Sequence, residues 1–178
     1  MRKIGAIVRL QIQLNPLKVG EGPARHYDPT PIRGVEALRW EAAGLSARVE
    51  GEAVLDVHHA AHPRSRNREG LNGLSIGFTS HYEAMRARFG ARMSDGIAGE
   101  SLIVETSELM TLEVLARAEL RTRQGLPLPL RLAVAAPCAP FSTFALGMPP
   151  GEAEPETLKD ALQFLNGGMR GFYAVFEA

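Results

Sequence analysis

The sequence predicts a mainly β fold, an antiparallel β-barrel with a few peripheral α-helices. Two observations carry this. About eight short runs of apolar and β-branched residues recur along the chain. These runs mostly follow one another instead of alternating with helical patterns, an order that suits an antiparallel barrel better than a doubly wound sheet.

The first run, residues 3–14, carries Ile4, Ile7, Val8 and Ile12 and stops at Asn15-Pro16. Residues 15–34 are rich in Pro and Gly and form a long loop, a kind of segment that is often functional. Strands are expected over Val35–Trp40 and over Ala47–Val57, the latter with a turn at Gly51, and again over Leu74–Phe78. Thr79 or Ser80 is placed to cap a helix running to Phe89, with Glu83 as capping-box partner and Gly90 as its stop. Tyr82, Met85 and Phe89 share one face of it, as core residues do. A glycine-bearing turn at 94–100 feeds a strand at Leu102–Val104, and 109–120 and 128–135 read as two further strands. After a Pro/Gly linker at 147–156, a helix from Glu156 to Leu165 and a last strand from Gly171 to Phe176 complete the chain.

The 178 residues suit one domain, with 45% hydrophobic and 22% charged residues and zero net charge. Zero net charge argues against nucleic-acid and membrane partners, so any basic function must be local. The apolar N-terminal run is broken by Arg9 and Gln11, too short for a signal peptide or a membrane span. One cysteine excludes an internal disulfide and fits a reducing, cytoplasmic setting.

Two segments concentrate chemistry. Residues 56–68 hold Asp56, His58, His59, His62, Arg64, Arg66 and Arg68. The segment leaves a strand-like run and reads as a loop, where binding groups on a rigid scaffold are common. Cys138 follows some seventy residues later, between Pro137 and Pro140. If the fold joins them, the arginines make an anion site beside a thiol, and cationic neighbours favour the nucleophilic thiolate. The two prolines are expected to keep Cys138 out of a helix interior. A dyad of Cys138 with a histidine is a further possibility, as is zinc held by Asp56, His58, His59, His62 and Cys138, although three adjacent arginines disfavour a dication. Asp56 can orient a histidine. Glycines of the 94–100 turn can let backbone N–H groups approach an anion. Each element also has a plainer reading: a solvated arginine face, loop-pinning histidines, a strand-end cap at Asp56, a buried cysteine and a tight turn.

Asp56-x-His58-His59, Asn72-x-Leu74-Ser75, Arg88-Phe89-Gly90, Asp95-Gly96-Ile97-Ala98-Gly99-Glu100-Ser101-Leu102 and Ala136-Pro137-Cys138-x-Pro140-Phe141 together resemble the MOSC domain. That domain occurs at the C-terminus of eukaryotic molybdenum cofactor sulfurases and as free-standing bacterial proteins. The blocks lie between residues 56 and 141, inside a motif-bearing part of about 50–147, with 156–177 expected to pack on the barrel. The chain departs from the family pattern at Ala60-Ala61, where two glycines are usual, and at Ser101, where asparagine is usual.

The resemblance implies a MOSC-type barrel with Cys138 as signature cysteine, carrying sulfur as a persulfide or binding the molybdenum of a pterin cofactor. It places His58, His59, Arg64, Arg66, Arg68, Asp56, Gly99 and Glu100 around the site. No pyridoxal phosphate is expected in this chain, so sulfur has to come from a donor such as a cysteine desulfurase. Three functions follow: sulfur transfer linked to the molybdenum cofactor; a molybdenum-cofactor-binding oxidoreductase component that reduces N-hydroxylated compounds with electrons from a donor protein; and a non-catalytic module for an anionic pterin or small molecule.

Overall fold

A computed structural model describes residues 3–67, 73–121, 124–128 and 130–176. Arg68, one of the candidate arginines, lies outside the described residues. The strands in chain order are β1 (Ile7–Gln13), β2 (Lys18–Val19), β3 (His26–Tyr27), β4 (Ile32–Gly34), β5 (Leu38–Glu41), β6 (Gly44–Val49), β7 (Glu52–Leu55), β8 (Leu74–Phe78), β9 (Leu102–Val104), β10 (Leu120–Arg121), β11 (Pro127–Leu128), β12 (Leu130–Val134) and β13 (Phe172–Phe176). The helices are α1 (Thr79–Phe89), α2 (Leu112–Leu115), α3 (Ala139–Leu146) and α4 (Pro155–Leu165).

Six strands form one sheet in the order β12-β13-β8-β9-β1-β4, and β5, β6 and β7 form a separate three-stranded sheet. All pairs in the large sheet are antiparallel except β8 with β9. That parallel pair needs a crossover, which α1 and the 94–100 turn supply. The result is a β-rich, mixed α/β fold, not the expected closed barrel: among the described residues the sheets do not join into a closed ring.

Burial explains the layering. Successive residues of a strand face opposite sides, and in β9 both Leu102 and Ile103 are buried. Ile103 belongs to a cluster with Tyr82, Met85, Phe141, Ala145 and Leu165, contributed by α1, α3 and α4. Leu102 belongs to a second cluster with Leu45, Leu74, Ile76, Phe78, Leu115 and Phe172. A sheet apolar on both faces has to be covered on both.

Four sequence expectations change. The run at 109–120 holds α2, with Thr111 Oγ1 accepting from Val114 N, and only Leu120–Arg121 is strand. Residues 139–146 are helical although Pro140 lies within them, because proline is tolerated in a first turn whose N–H groups have no partner. Neither Thr79 nor Ser80 caps α1, since Phe78 occupies that position. Their hydroxyls instead donate to the carbonyls of Thr106 and Glu108, tying α1 to the segment after β9. Finally, β13, expected to pack on the barrel together with the C-terminal helix, is an inner strand of the large sheet, between β12 and β8.

Candidate functional site

Cys138 sits where the chain leaves β12 and turns into α3. Its extended backbone places it at the N-cap of that helix, and its side chain is half-buried against the α1–α3–α4 cluster. The cation beside it comes from the far end of the sequence. Arg170 Nη1 lies 3.9 Å from Cys138 Sγ and donates to Ala136 O at 3.0 Å. The guanidinium rests over the Phe141 ring, 5.0 Å from its centre, a favourable cation–π contact.

Arg170 is held by a glycine-rich turn between α4 and β13. At Gly171, φ is +96° and an added Cβ would meet Ile76 O at 2.6 Å, so only glycine lets β13 enter the sheet directly after the arginine. Arg170 is only 9% exposed, and it is the one buried arginine among the described residues. Burial alone would push its pKa down. Cys138, Tyr173, Tyr27 and Glu100 offset this and hold the guanidinium above its ordinary value.

Glu100 closes the other side. Buried Gln11 and Gln13 of β1 donate from their side chains to Gly96 O at 2.7 Å and Gly99 O at 2.6 Å. These bonds pin the turn and deliver Glu100 into the core just before β9. Tyr82 of α1 donates to Glu100 Oε2 at 2.5 Å and accepts from Ala98 N at 3.1 Å. Burial pushes the Glu100 carboxyl up to about 7, against the opposing pull of the Tyr82 hydrogen bond, a backbone amide and the Arg170 charge. Burial likewise raises Tyr82 and Tyr27 well above the usual phenol value.

Glu100 Oε1, Arg170 Nε and Ser142 Oγ are buried without a hydrogen-bond partner among the described residues. Ser142 lies one turn into α3, its amide donating to Cys138 O at 3.0 Å. Buried polar groups are nearly always paired, by protein or by ordered water, so these three atoms are places where water or a small polar ligand can bond.

The histidine–arginine loop has a different character. Asp56, 2% exposed, accepts from Gln13 N at 2.7 Å, His58 N at 2.8 Å and His58 Nδ1 at 2.9 Å. His59 Nδ1 accepts from Ala61 N at 3.1 Å, so its proton is on Nε2, which lies 3.4 Å from Glu41 Oε1. His62 Nδ1 accepts from Arg64 N, and Arg64 Nη1 donates to Asn15 Oδ1. Arg66 is exposed. Among the described residues no hydrogen bond or ion pair joins this loop to Cys138, whose polar neighbour is Arg170. Nor, among the described residues, do three His, Cys, Asp or Glu side chains come together as a metal site. Gly99 N donates to Gly96 O within the turn, so it is not free to cradle an anion.

Sequence reasoning missed Arg170 and the polar role of Tyr82. Tyr82 reads as a core residue, and it is one. Arg170 carries one faint signal, an arginine inside Gly167-Gly168-Met169-Arg170-Gly171, where a charged side chain follows a forced turn straight into a strand.

No family model and no curated protein matches this chain. Among solved structures it is similar to the YuaD protein from Bacillus subtilis, at 11% identity and a TM-score of 0.49, over 97% of this chain and 91% of that one. A likeness this weak assigns neither family nor activity. Among the described residues, no helix is long and apolar enough to cross a membrane.

Proposed function

We propose that this chain is a MOSC-type sulfur carrier linked to the molybdenum cofactor, with Cys138 as the sulfur-bearing thiol. The observation that supports it is the half-buried thiol of Cys138 facing the buried Arg170 guanidinium at 3.9 Å. The finer fold assignment, a MOSC-type arrangement with its helices at the periphery, is part of the same reading. So is a cytoplasmic location.

Loading is a thiol–persulfide exchange. The Cys138 thiolate attacks the outer sulfur of a persulfide on a donor such as a cysteine desulfurase. A new S–S bond forms on Cys138, the donor's S–S bond breaks, and the electron pair leaves on the donor thiolate. Arg170 balances the negative charge before and after transfer. An acceptor nucleophile then takes the outer sulfur and regenerates the Cys138 thiolate.

The residues around Cys138 fit a metal that brings its other ligands with it, since one soft thiolate is on offer and no protein-only metal set is present among the described residues. A molybdenum pterin would therefore take Cys138 as protein ligand and Arg170 as neighbouring cation, and would supply two-electron redox chemistry. Arg64 and Arg66 are exposed and available to an acidic partner instead.

The test is incubation with a cysteine desulfurase and sulfur-labelled cysteine, followed by release of label as thiocyanate with cyanide. Wild type is expected to take up close to one cyanide-labile sulfur per chain and Cys138→Ser none. Equal labelling of Cys138→Ser would overturn the proposal. Stoichiometric molybdenum in protein from a molybdenum-replete host, lost in Cys138→Ala, would favour the cofactor-bound oxidoreductase component.

A further inference from the structure

Three consecutive side chains at the start of α1 hold the chain that follows β9. Thr79 Oγ1 donates to Thr106 O at 3.1 Å and accepts from Thr106 N at 3.0 Å. Ser80 Oγ donates to Glu108 O and bonds with Thr106 Oγ1, both at 2.8 Å. His81 Nε2 accepts from Met110 N at 2.8 Å. Beyond these bonds the hold is thin. Met110 and Leu115 pack into the cluster of Ile76, Phe78 and Phe172, whereas Leu109, Leu112 and Val114 are 52%, 40% and 44% exposed. A segment with few buried apolar contacts opens at a lower free energy than the sheet beneath it.

We propose that residues 106–115 form a flap latched to α1 by the His81–Met110 hydrogen bond, and that protonation of His81 releases the flap and uncovers the apolar face of Ile76, Phe78 and Phe172. Nothing in this requires Cys138 or a sulfur on it.

The chemistry of the imidazole sets the direction. To accept from Met110 N, Nε2 must carry no proton, so the neutral ring holds its proton on Nδ1. A second proton turns Nε2 into a donor facing another donor, and the bond is lost. His81 is 2% exposed, and Nδ1 has no hydrogen-bond partner among the described residues, so the cation would also lie unpaired in the interior. The ring lies against Phe78 and Phe172, 5.2 and 6.4 Å away between centres, with the backbone of Gly168 and Met169 nearby. The ionisable residues of the neighbouring elements are Glu83 on α1, Glu108 and Glu113 on the flap, Arg170 on the glycine-rich turn and Tyr173 on β13, and none of them bears on the ring. Burial dominates and holds His81 below its ordinary 6.5. Once released, the imidazole meets water and regains that value. The latch is therefore fully present above about 6.5 and is lost as pH falls from there towards the latched value. Glu100 cannot mimic this, because its raised pKa stabilises the fold at lower pH.

The experiment is hydrogen–deuterium exchange of the whole chain from about pH 5 to 8, with each rate corrected for the intrinsic pH dependence of exchange and the amides of β8 and β13 as internal reference. Protection of the Thr106 and Met110 amides is expected to fall by up to about tenfold per pH unit below about 6.5, while that of the reference strands does not. No fall, or a fall shared equally by β8 and β13, would overturn the proposal. In His81→Gln the side-chain oxygen can still accept from Met110 N but does not titrate, so protection is expected to stay level across the range. A fall in His81→Gln as steep as in wild type would also overturn it. The nitrogen-15 shifts of the His81 ring in wild type give a reading that needs no variant. The Nδ1–H tautomer is expected at neutral pH, and the Nε2–H tautomer would overturn the proposal even if His81→Gln failed to fold.

Discussion

The loop at 56–67 and the cluster around Cys138 are both polar, and they differ in what their polar groups do. Asp56 accepts three hydrogen bonds, and His59 and His62 each accept a backbone N–H. The loop uses its chemistry to fold itself. Around Cys138 the reverse holds: Arg170 Nε, Glu100 Oε1 and Ser142 Oγ are buried without partners among the described residues. A dense run of histidines and arginines is therefore a weaker sign of a site than a few buried groups left unsatisfied, because satisfied groups have already spent their interactions. The first way to break this comparison is to remove the centre of the loop. Asp56→Ala leaves the buried Gln13 N–H and two His58 donors without an acceptor. It is expected to lower unfolding free energy by about 4 kcal/mol, the scale of several charge-assisted hydrogen bonds lost at a buried carboxylate. Urea unfolding measures this. Alkylation of Cys138 in the folded fraction should keep its wild-type rate, and a large loss of reactivity would join the two regions after all.

The second way acts on the cluster. The Glu100 carboxyl rests at about 7 in the folded chain, above its ordinary 4.5, chiefly because it is buried. The folded state thus holds the proton more tightly than the unfolded state. Its contribution to stability is fully present below the unfolded value and is lost as pH rises from about 4.5 to about 7, then stays level. That difference corresponds to about 3 kcal/mol at 1.36 kcal/mol per pH unit. Denaturant titrations at pH 4.5 and 7.5 are expected to show this fall in wild type and to show it flattened in Glu100→Gln. An equal slope in both proteins would mean the carboxyl is not held as the structure holds it.

What the sequence made legible follows from how local each cause is. The helix expected from about Glu156 to Leu165, the strand at Leu74–Phe78 and the stop at Gly90 depend on patterns within a few residues, and they stand within one residue of where expected. The closed barrel failed because, among the described residues, β12 and β4 remain edges of the large sheet and β5–β7 form a sheet of their own, and no strand's sequence states its partner. The helix α3 was hidden by Pro140, whose position in a first turn is knowable only once the start of the helix is known. Cys138 was legible as a candidate, but its polar neighbour was not. That neighbour is Arg170, thirty-two residues beyond the cysteine and brought there by a turn whose glycines have positive φ. Asp56 orienting His58 was legible, being a contact over two residues.

The smallest expected effect sharpens the comparison most, because the loop arginines carry the larger role in the sequence reading. Arg64 is exposed and makes one hydrogen bond, to Asn15 Oδ1 at 3.0 Å. Arg66 is exposed as well. Exposed polar contacts of this kind contribute little, so Arg64→Ala and Arg66→Ala are each expected to change unfolding free energy by less than about 0.5 kcal/mol. Neither arginine is seen to bond to Cys138, so cyanide-labile sulfur after loading with small inorganic polysulfide should match wild type in both variants. With a protein donor the outcome carries more information. A slower rate confined to that donor, and weakened further by added salt, would assign these arginines to recognition of an acidic partner surface. Slower loading from polysulfide itself would place the loop at the thiol and erase the distinction between the two regions.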